Sequence, residues 1–280
     1  MTASVIPDDA QPAVTRVETC SLATVRRVAA MLDLDPDNWH EGDVLPRGWQ
    51  FILLGADTRR SSLRGDGFPG LGVPLPDLGL PRLLLGGRTV RFRGDILIGT
   101  TLRRVSWTKA LSRKESAHGP MAIVTVAHDL HLPDVTEAVL SETQTYILLG
   151  PQPTGGKPPN AEPSPLPPRT RQVVPDDTLL FQYSALGFNS HRIHLDRQFA
   201  RDVEGFPDLV VNGGLAMLLL TEFLRVEENV TLGAITARHV APLFCARPAT
   251  LGVEKAGSTW LLRAFDDGGH LAVQVEVEEA

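Results

Sequence analysis

The sequence predicts an α+β fold in which a curved antiparallel sheet wraps around a buried helix. In the C-terminal part, one long apolar segment with helical spacing is followed by four strand-like runs. The N-terminal part shows a related order, with one helical segment ahead of several strand-like runs. A helix followed by an antiparallel meander can bury its apolar face against the sheet, and the local pattern indicates this class and no finer one.

In the N-terminal part, Ser21 is a suitable cap for a helix over 22–34. A loop rich in glycine, proline and aspartate follows over 59–81. Four runs then mix β-branched residues with polar alternation, and they predict strands over 87–92, 100–110, 121–130 and 135–149.

Between Pro151 and Pro168 the chain holds eight prolines. Such a stretch cannot bury apolar surface and is typical of an extended, semi-rigid linker. We therefore predict an N-terminal domain over 1–150, a linker over 151–170 and a C-terminal domain over 171–280.

The C-terminal part opens with a predicted short strand near 178–182 and a polar loop. An apolar helix follows over 213–226, with a broad buried face made by Leu215, Leu218, Leu219 and Phe223. The remaining runs predict strands over 232–240, 249–255, 259–265 and 271–277.

Charge and composition exclude several classes of protein. The chain has 27 basic and 33 acidic residues, a net charge of −6, so a global basic field for nucleic acid is absent. Its longest apolar run is too short to span a bilayer, and the first residues lack the apolar segment of a signal peptide. Cys20 and Cys245 lie far apart, which favours neither a disulfide framework nor a metal site. A cytoplasmic protein without a membrane or nucleic-acid partner is the expectation.

The densest polar cluster in the sequence runs from Tyr183 to Asp196. It contains His191 and His194, whose spacing can place both rings on one face of a turn, and imidazole is the side chain best suited to proton transfer near neutral pH. Ordinary loop histidines would give the same pattern. A zinc site is disfavoured because no third ligand stands at metal-like spacing, and no metal is expected.

The same cluster resembles the hydratase motif of the MaoC-like, (R)-specific enoyl-thioester hydratases. The branch that contains itaconyl-CoA and mesaconyl-C4-CoA hydratases and the mitochondrial hydroxyacyl-thioester dehydratase type 2 is more similar still. The matching stretches read FNSHRIHLD over 188–196, VEGFPDLVVNGGL over 203–215, RHVAPLF over 238–244 and GGRTVRF over 86–92. The resemblance covers nearly the whole chain and is weakest over the linker and the first twenty residues.

This resemblance implies a double hotdog fold, with a degenerate N-terminal unit and a catalytic C-terminal unit. It implies a hydratase or dehydratase of enoyl or 3-hydroxyacyl thioesters, with CoA or phosphopantetheine as part of the substrate and no cofactor. An acyl-CoA or an acyl-carrier protein would be the substrate partner. A branched or dicarboxylic acyl group such as itaconyl or mesaconyl follows from the most similar branch, and a homodimer stays open.

By the same resemblance His194 aligns with the family's general acid/base. Asn189 stands where the wider pattern has an aspartate, and an amide cannot abstract a proton. Either His191 and His194 divide the proton transfers, or His194 acts alone and Asn189 positions water. Asp196 would orient a neighbour, or it would cap a helix over 197–202.

Backbone N–H groups at Gly213 and Gly214 would hold the thioester carbonyl at the helix N-terminus, unless the glycines form only a turn into the helix. The branch has a His where this sequence has Asn212 and a Pro where it has Gly214. It also has a Tyr at the position of Leu195. Arg192 is the favoured phosphate ligand among the basic residues, which otherwise fit a solvated strand face: Arg88, Arg91, Arg93, Arg103, Arg104 and Lys114.

Two other functions compete with the hydratase. A hotdog acyl-thioesterase would direct water to the carbonyl carbon, but it usually needs an acidic base near the helix, and none stands next to Gly213. A non-catalytic acyl-thioester-binding protein is compatible with Asn189, Asn212 and Gly214.

Overall fold

A computed structural model describes residues 12–116, 119–151 and 163–280. The protein is built on a continuous antiparallel sheet with four α-helices. The strands are β1 (Val14–Thr19), β2 (Arg82–Phe92), β3 (Thr101–Ser116), β4 (Gly119–His131), β5 (Leu140–Leu149), β6 (Arg169–Val173), β7 (Leu232–His239), β8 (Ala249–Ala256), β9 (Thr259–Phe265) and β10 (Leu271–Glu279). The helices are α1 (Leu22–Met31), α2 (Asp177–Leu186), α3 (Arg197–Asp202) and α4 (Gly213–Glu228).

The strand order shows two related halves. It runs β1-β3-β4-β5-β2-β7-β10-β9-β8-β6, so the first five strands and the last five follow the same pattern in mirror order along the sheet. β2 pairs with β7 at the centre, from Gly87 opposite Arg238 to Arg91 opposite Ala234. The predicted α+β class and its helix-in-sheet units are confirmed.

Helix α4 fills the C-terminal half. Leu215, Leu218, Leu220 and Leu224 are buried against the core, and the helix packs on β8, β9 and β10. It ends where Asn229 takes a left-handed conformation, which small polar residues tolerate. Helix α1 begins as predicted, with the Ser21 hydroxyl accepting the Thr24 N–H at 3.3 Å.

The predicted strand near 178–182 is wrong, because that segment lies in α2. The Asp176 carboxylate accepts the Leu179 N–H at 2.8 Å and caps the helix. Leu180, Tyr183 and Ser184 are then buried on one face, at helical spacing. A short apolar run does not distinguish a strand from a buried helix, and the cap decided the outcome here.

The strand predicted over 135–149 starts only at Leu140. Asp134 has a φ of 59°, and the exposed turn around it delays the return of the chain to the sheet. Residues 152–162 of the predicted linker lie outside the described residues. Its last two positions, Arg169 and Thr170, form the start of β6.

Cys20 and Cys245 are both buried free thiols.

No helix within the described ranges is long and apolar enough to cross a membrane.

Candidate active site

A cavity of about 280 Å³ lies at the N-terminus of α4, between the two halves of the sheet. The predicted site residues that line it are Asn189, His191, His194, Asn212, Gly213 and Gly214. Leucines and valines supply much of the remaining wall. A mainly apolar cavity with a few convergent polar groups is the usual form of a small-molecule site.

His194 is held in one tautomer. Its Nδ1 lies 2.7 Å from the Val210 carbonyl oxygen, and a carbonyl oxygen can only accept, so Nδ1 carries the proton. Nε2 therefore keeps its lone pair. Burial lowers the pKa of His194 to about 3, with His191 adding to the effect. A neutral imidazole with an available Nε2 can accept a proton from water.

The contact with Val210 also ties His194 to α4. Val211 donates its N–H to the Leu243 carbonyl at 2.8 Å, which anchors the segment that leads into the helix. Asn212 is the N-cap residue, and its side chain makes no capping bond. The first-turn N–H groups thus receive no side-chain acceptor from the cap, and they are suited to hold a carbonyl oxygen that gains negative charge.

His191 packs edge-on against His194, with the ring centres 5.5 Å apart. Burial lowers the pKa of His191 to about 4, and Arg64 contributes. Asn189 Oδ1 accepts the backbone N–H of His191 at 3.1 Å, so the side-chain amide nitrogen of Asn189 remains as a donor at the cavity wall. Asn189 can therefore orient water but cannot take its proton.

Asn212 and His239 line this cavity, and each has a buried polar atom that is unpaired in the described structure. Asn212 donates to the Ser184 hydroxyl at 3.2 Å, while its Oδ1 is buried and without a partner in the described structure. His239 Nε2 is likewise buried and unpaired, and burial beside Arg88 lowers the pKa of His239 to about 4. Unpaired buried polar atoms are costly, so these two mark positions for a ligand or water.

Gly214 lies against a side chain. A Cβ on Gly214 would overlap the Tyr183 hydroxyl and lie 3.2 Å from Tyr183 Cζ. A Cβ on Gly213 would lie 3.0 Å from the His239 ring. The packing around the first turn of α4 therefore disfavours a side chain at Gly214, and it leaves little space at Gly213. The sequence indicated instead a close approach of ligand to backbone at this turn.

Arg192 is not brought into the cavity. Its side chain is half-exposed, pairs with Asp196 at 2.7 Å and lies over the Phe199 ring. A role toward the substrate phosphates stays a prediction. Asp196 caps α3 by accepting the Phe199 N–H at 2.9 Å, which is the structural role that the sequence allowed.

Arg88 and Tyr183 are cavity residues that the sequence did not single out for this site. Arg88 was grouped with solvated strand residues, yet it is buried and ion-paired with Glu142 at 3.2 Å. Glu142 also accepts from Gln144 at 2.7 Å and Gln50 at 3.0 Å. Burial raises the pKa of Tyr183 to about 12, although the nearby Arg88 acts to lower it.

A smaller cavity of about 100 Å³ adjoins the first behind these residues. The two share a wall formed by Phe68, Arg88, Tyr146, Tyr183 and Asn189, and the smaller one also meets His128 and Gln144. The wall between the two cavities is thus partly polar. Within the described part of the chain, no group of three or more His, Cys, Asp or Glu is placed to hold a metal ion.

Comparisons with known proteins identify relatives of this chain. A family model described as hydroxyacyl-thioester dehydratase type 2 matches residues 48–245. The mesaconyl-C(4)-CoA hydratase of Chloroflexus aurantiacus is 33% identical over 263 residues, or 92% of each chain. The mitochondrial hydroxyacyl-thioester dehydratase type 2 of Schizosaccharomyces pombe is 28% identical over 105 residues, which covers 36% of this chain and 35% of that protein. The crystal structure of a MaoC-like dehydratase from Phytophthora capsici superposes with a TM-score of 0.71 over 96% of both chains at 14% identity, a likeness of fold.

Proposed function

The chain belongs to the hydroxyacyl-thioester dehydratase type 2 family, and we propose that it adds water reversibly to the double bond of an enoyl thioester. The observation that carries the proposal is His194, a buried neutral imidazole whose Nδ1–H is fixed by Val210 and whose Nε2 is a free base. The same cavity contains the N-terminus of α4, which favours negative charge on a thioester oxygen.

In this mechanism water gives a proton to His194 Nε2 and its oxygen bonds to the β-carbon. The electron pair of the double bond moves through the α-carbon to the thioester oxygen, where the N–H groups of the α4 first turn hold the enolate. The enolate then collapses as the α-carbon takes the proton back from His194. Asn189 orients the water, and the histidine ends neutral, so no cofactor enters the balance.

The acyl group we propose is short and carries a carboxylate, as in a mesaconyl thioester. Two observations support this choice: the identity with the mesaconyl-C(4)-CoA hydratase and the polar inner cavity beside Arg88. Arg88, Gln144 and Tyr146 already have partners in Glu142 and in one another. A substrate carboxylate beside them would be attracted to the guanidinium, whereas a long alkyl chain would gain nothing from it.

The remaining parts of the proposal concern organisation. We place a degenerate unit over 1–150, a linker over 151–170 and the catalytic unit over 171–280, because both candidate catalytic histidines lie in the last of these. The substrate carrier is CoA or a phosphopantetheine-bearing protein. A cytoplasmic protein without nucleic-acid or membrane partners completes the proposal, and a homodimer stays open.

One assay separates the competing functions. The purified chain is incubated with crotonyl-CoA, mesaconyl-CoA and a decenoyl-CoA, while the conjugated enoyl absorbance and the free thiol are followed together. Loss of absorbance without thiol, fastest with mesaconyl-CoA, is expected for the proposed hydratase. Release of thiol would identify a thioesterase, and no change with any thioester would identify a binding protein.

A further inference from the structure

Asp66 stands beside the histidine pair, although it comes from the 59–81 loop of the N-terminal half. Its Oδ2 lies 3.6 Å from His191 Nε2, and both side chains are about 5% exposed, at 6% and 5%. Asn189 provides no carboxylate, so Asp66 is the acid that faces these rings within the described structure.

The loop that carries Asp66 is locked onto the loop that carries the histidines. The backbone N–H of Arg192 donates to the backbone carbonyl of Asp66 at 2.8 Å, and the Ser190 hydroxyl donates to the Gly67 carbonyl at 2.6 Å. Gly67 has a φ of 77°, and a Cβ there would lie 2.6 Å from the Ser190 carbonyl oxygen, so only glycine fits. The contacts between the two loops therefore fix the position of the Asp66 carboxylate relative to the His191 ring.

Other contacts orient the carboxylate. Its Oδ1 accepts the Phe68 N–H at 2.9 Å, and Arg64 lies 3.2 Å from Oδ2 on the outer, partly exposed side. The Phe68 ring packs on His191, with the ring centres 5.5 Å apart. His191 thus contacts Asp66 and Phe68 of the N-terminal half and His194 of its own, C-terminal half.

We infer that Asp66 is a positioning residue of the active site, which holds His191 and stabilises the positive charge that the histidine pair carries after water gives up its proton. The inference rests on the proposed hydratase. A carboxylate near a buried imidazole favours its charged form, and contacts of this kind often shorten once substrate is bound. Asp66 itself neither gains nor loses a proton.

The test compares Asp66→Asn with Asp77→Asn, an exposed aspartate of the same loop. The amide oxygen in Asp66→Asn can still accept the Phe68 N–H, so the substitution removes mainly the negative charge. We expect kcat for hydration to fall about 10- to 100-fold with KM and Tm little changed, while Asp77→Asn keeps the wild-type kcat.

A second variant distinguishes charge from structure. In Asp66→Ala, added formate should restore part of kcat, and chloride at the same ionic strength should not. Wild-type kcat in Asp66→Asn overturns the inference alone, and so does a loss in Asp66→Ala that formate does not reverse. A wild-type chain that hydrates no thioester overturns the proposed function, and the inference with it.

Discussion

The first turn of α4 offers the sharpest stability prediction, because a single methyl group should reverse the usual effect of a glycine substitution. In a helix interior, alanine is more stable than glycine by about 1 kcal/mol. In Gly214→Ala the methyl group would overlap the Tyr183 hydroxyl. Tyr183 is 6% exposed and its ring stacks on Phe51 with the centres 4.5 Å apart, which restricts its movement away from the methyl group.

Overpacking of this kind costs about 1–3 kcal/mol, so Gly214→Ala should lower the free energy of unfolding by about 1 kcal/mol after the helix gain is subtracted. Removing the hydroxyl with Tyr183→Phe should relieve part of that loss, and the coupling between the two changes should be about 1 kcal/mol. Urea unfolding of the wild type, both single variants and the double variant measures it.

Gly65→Ala is the matched control, because a Cβ there meets nothing within 4 Å. We expect it to raise stability by at most about 1 kcal/mol. A stabilising Gly214→Ala, or a double variant whose loss equals the sum of the single losses, would refute the packing argument at this turn.

Three further predictions concern the histidines. His194→Gln should lower kcat for hydration by about 100-fold or more, with an unchanged circular dichroism spectrum. His40 is exposed, and His40→Gln should keep the wild-type kcat. Equal kcat values for the two variants would remove His194 from the mechanism. The pKa of His194, about 3, and that of His191, about 4, leave both neutral above pH 5, so kcat/KM should show no titration near pH 6.5. Burial also lowers the pKa of His128 to about 4, below the unfolded value of about 6.5, so the unfolded chain binds an extra proton between these values. The free energy of unfolding should therefore fall as pH drops through that window, and His128→Gln should make the fall shallower by about 1.4 kcal/mol per pH unit; an unchanged slope would contradict it.

The sequence predicts the parts of this fold that local physics determines. Helix α4 follows from its apolar spacing, and α1 from the Ser21 cap. Helix α2 does not follow, because its apolar run is too short to show a period.

The sequence predicts some residues of the candidate site and misses others. Asn189, His191, His194, Asn212, Gly213 and Gly214 belong to contiguous motifs, and the fold places all of them at one cavity. Residues brought in from other strands and loops carry no local signal. His239 belongs to the RHVAPLF motif, but its buried, unpaired Nε2 is a property of the packing.

Asp66 and Arg88 show why tertiary structure was needed. Asp66 lies in a loop whose composition indicates turns alone, and its contact with His191 depends on the register between the two halves of the chain. The charge of Arg88 indicated a solvated strand face, yet Arg88 shares the buried face of β2 with Val90 and Phe92 and pairs with Glu142.

The destination of the water oxygen tests the central claim most directly. The wild-type chain is incubated with crotonyl-CoA and mesaconyl-CoA in ¹⁸O-enriched water, and the products are analysed by mass spectrometry. The account predicts an intact 3-hydroxyacyl thioester with the heavy oxygen in its new hydroxyl group. Heavy oxygen in a free carboxylic acid, together with free CoA, would contradict it.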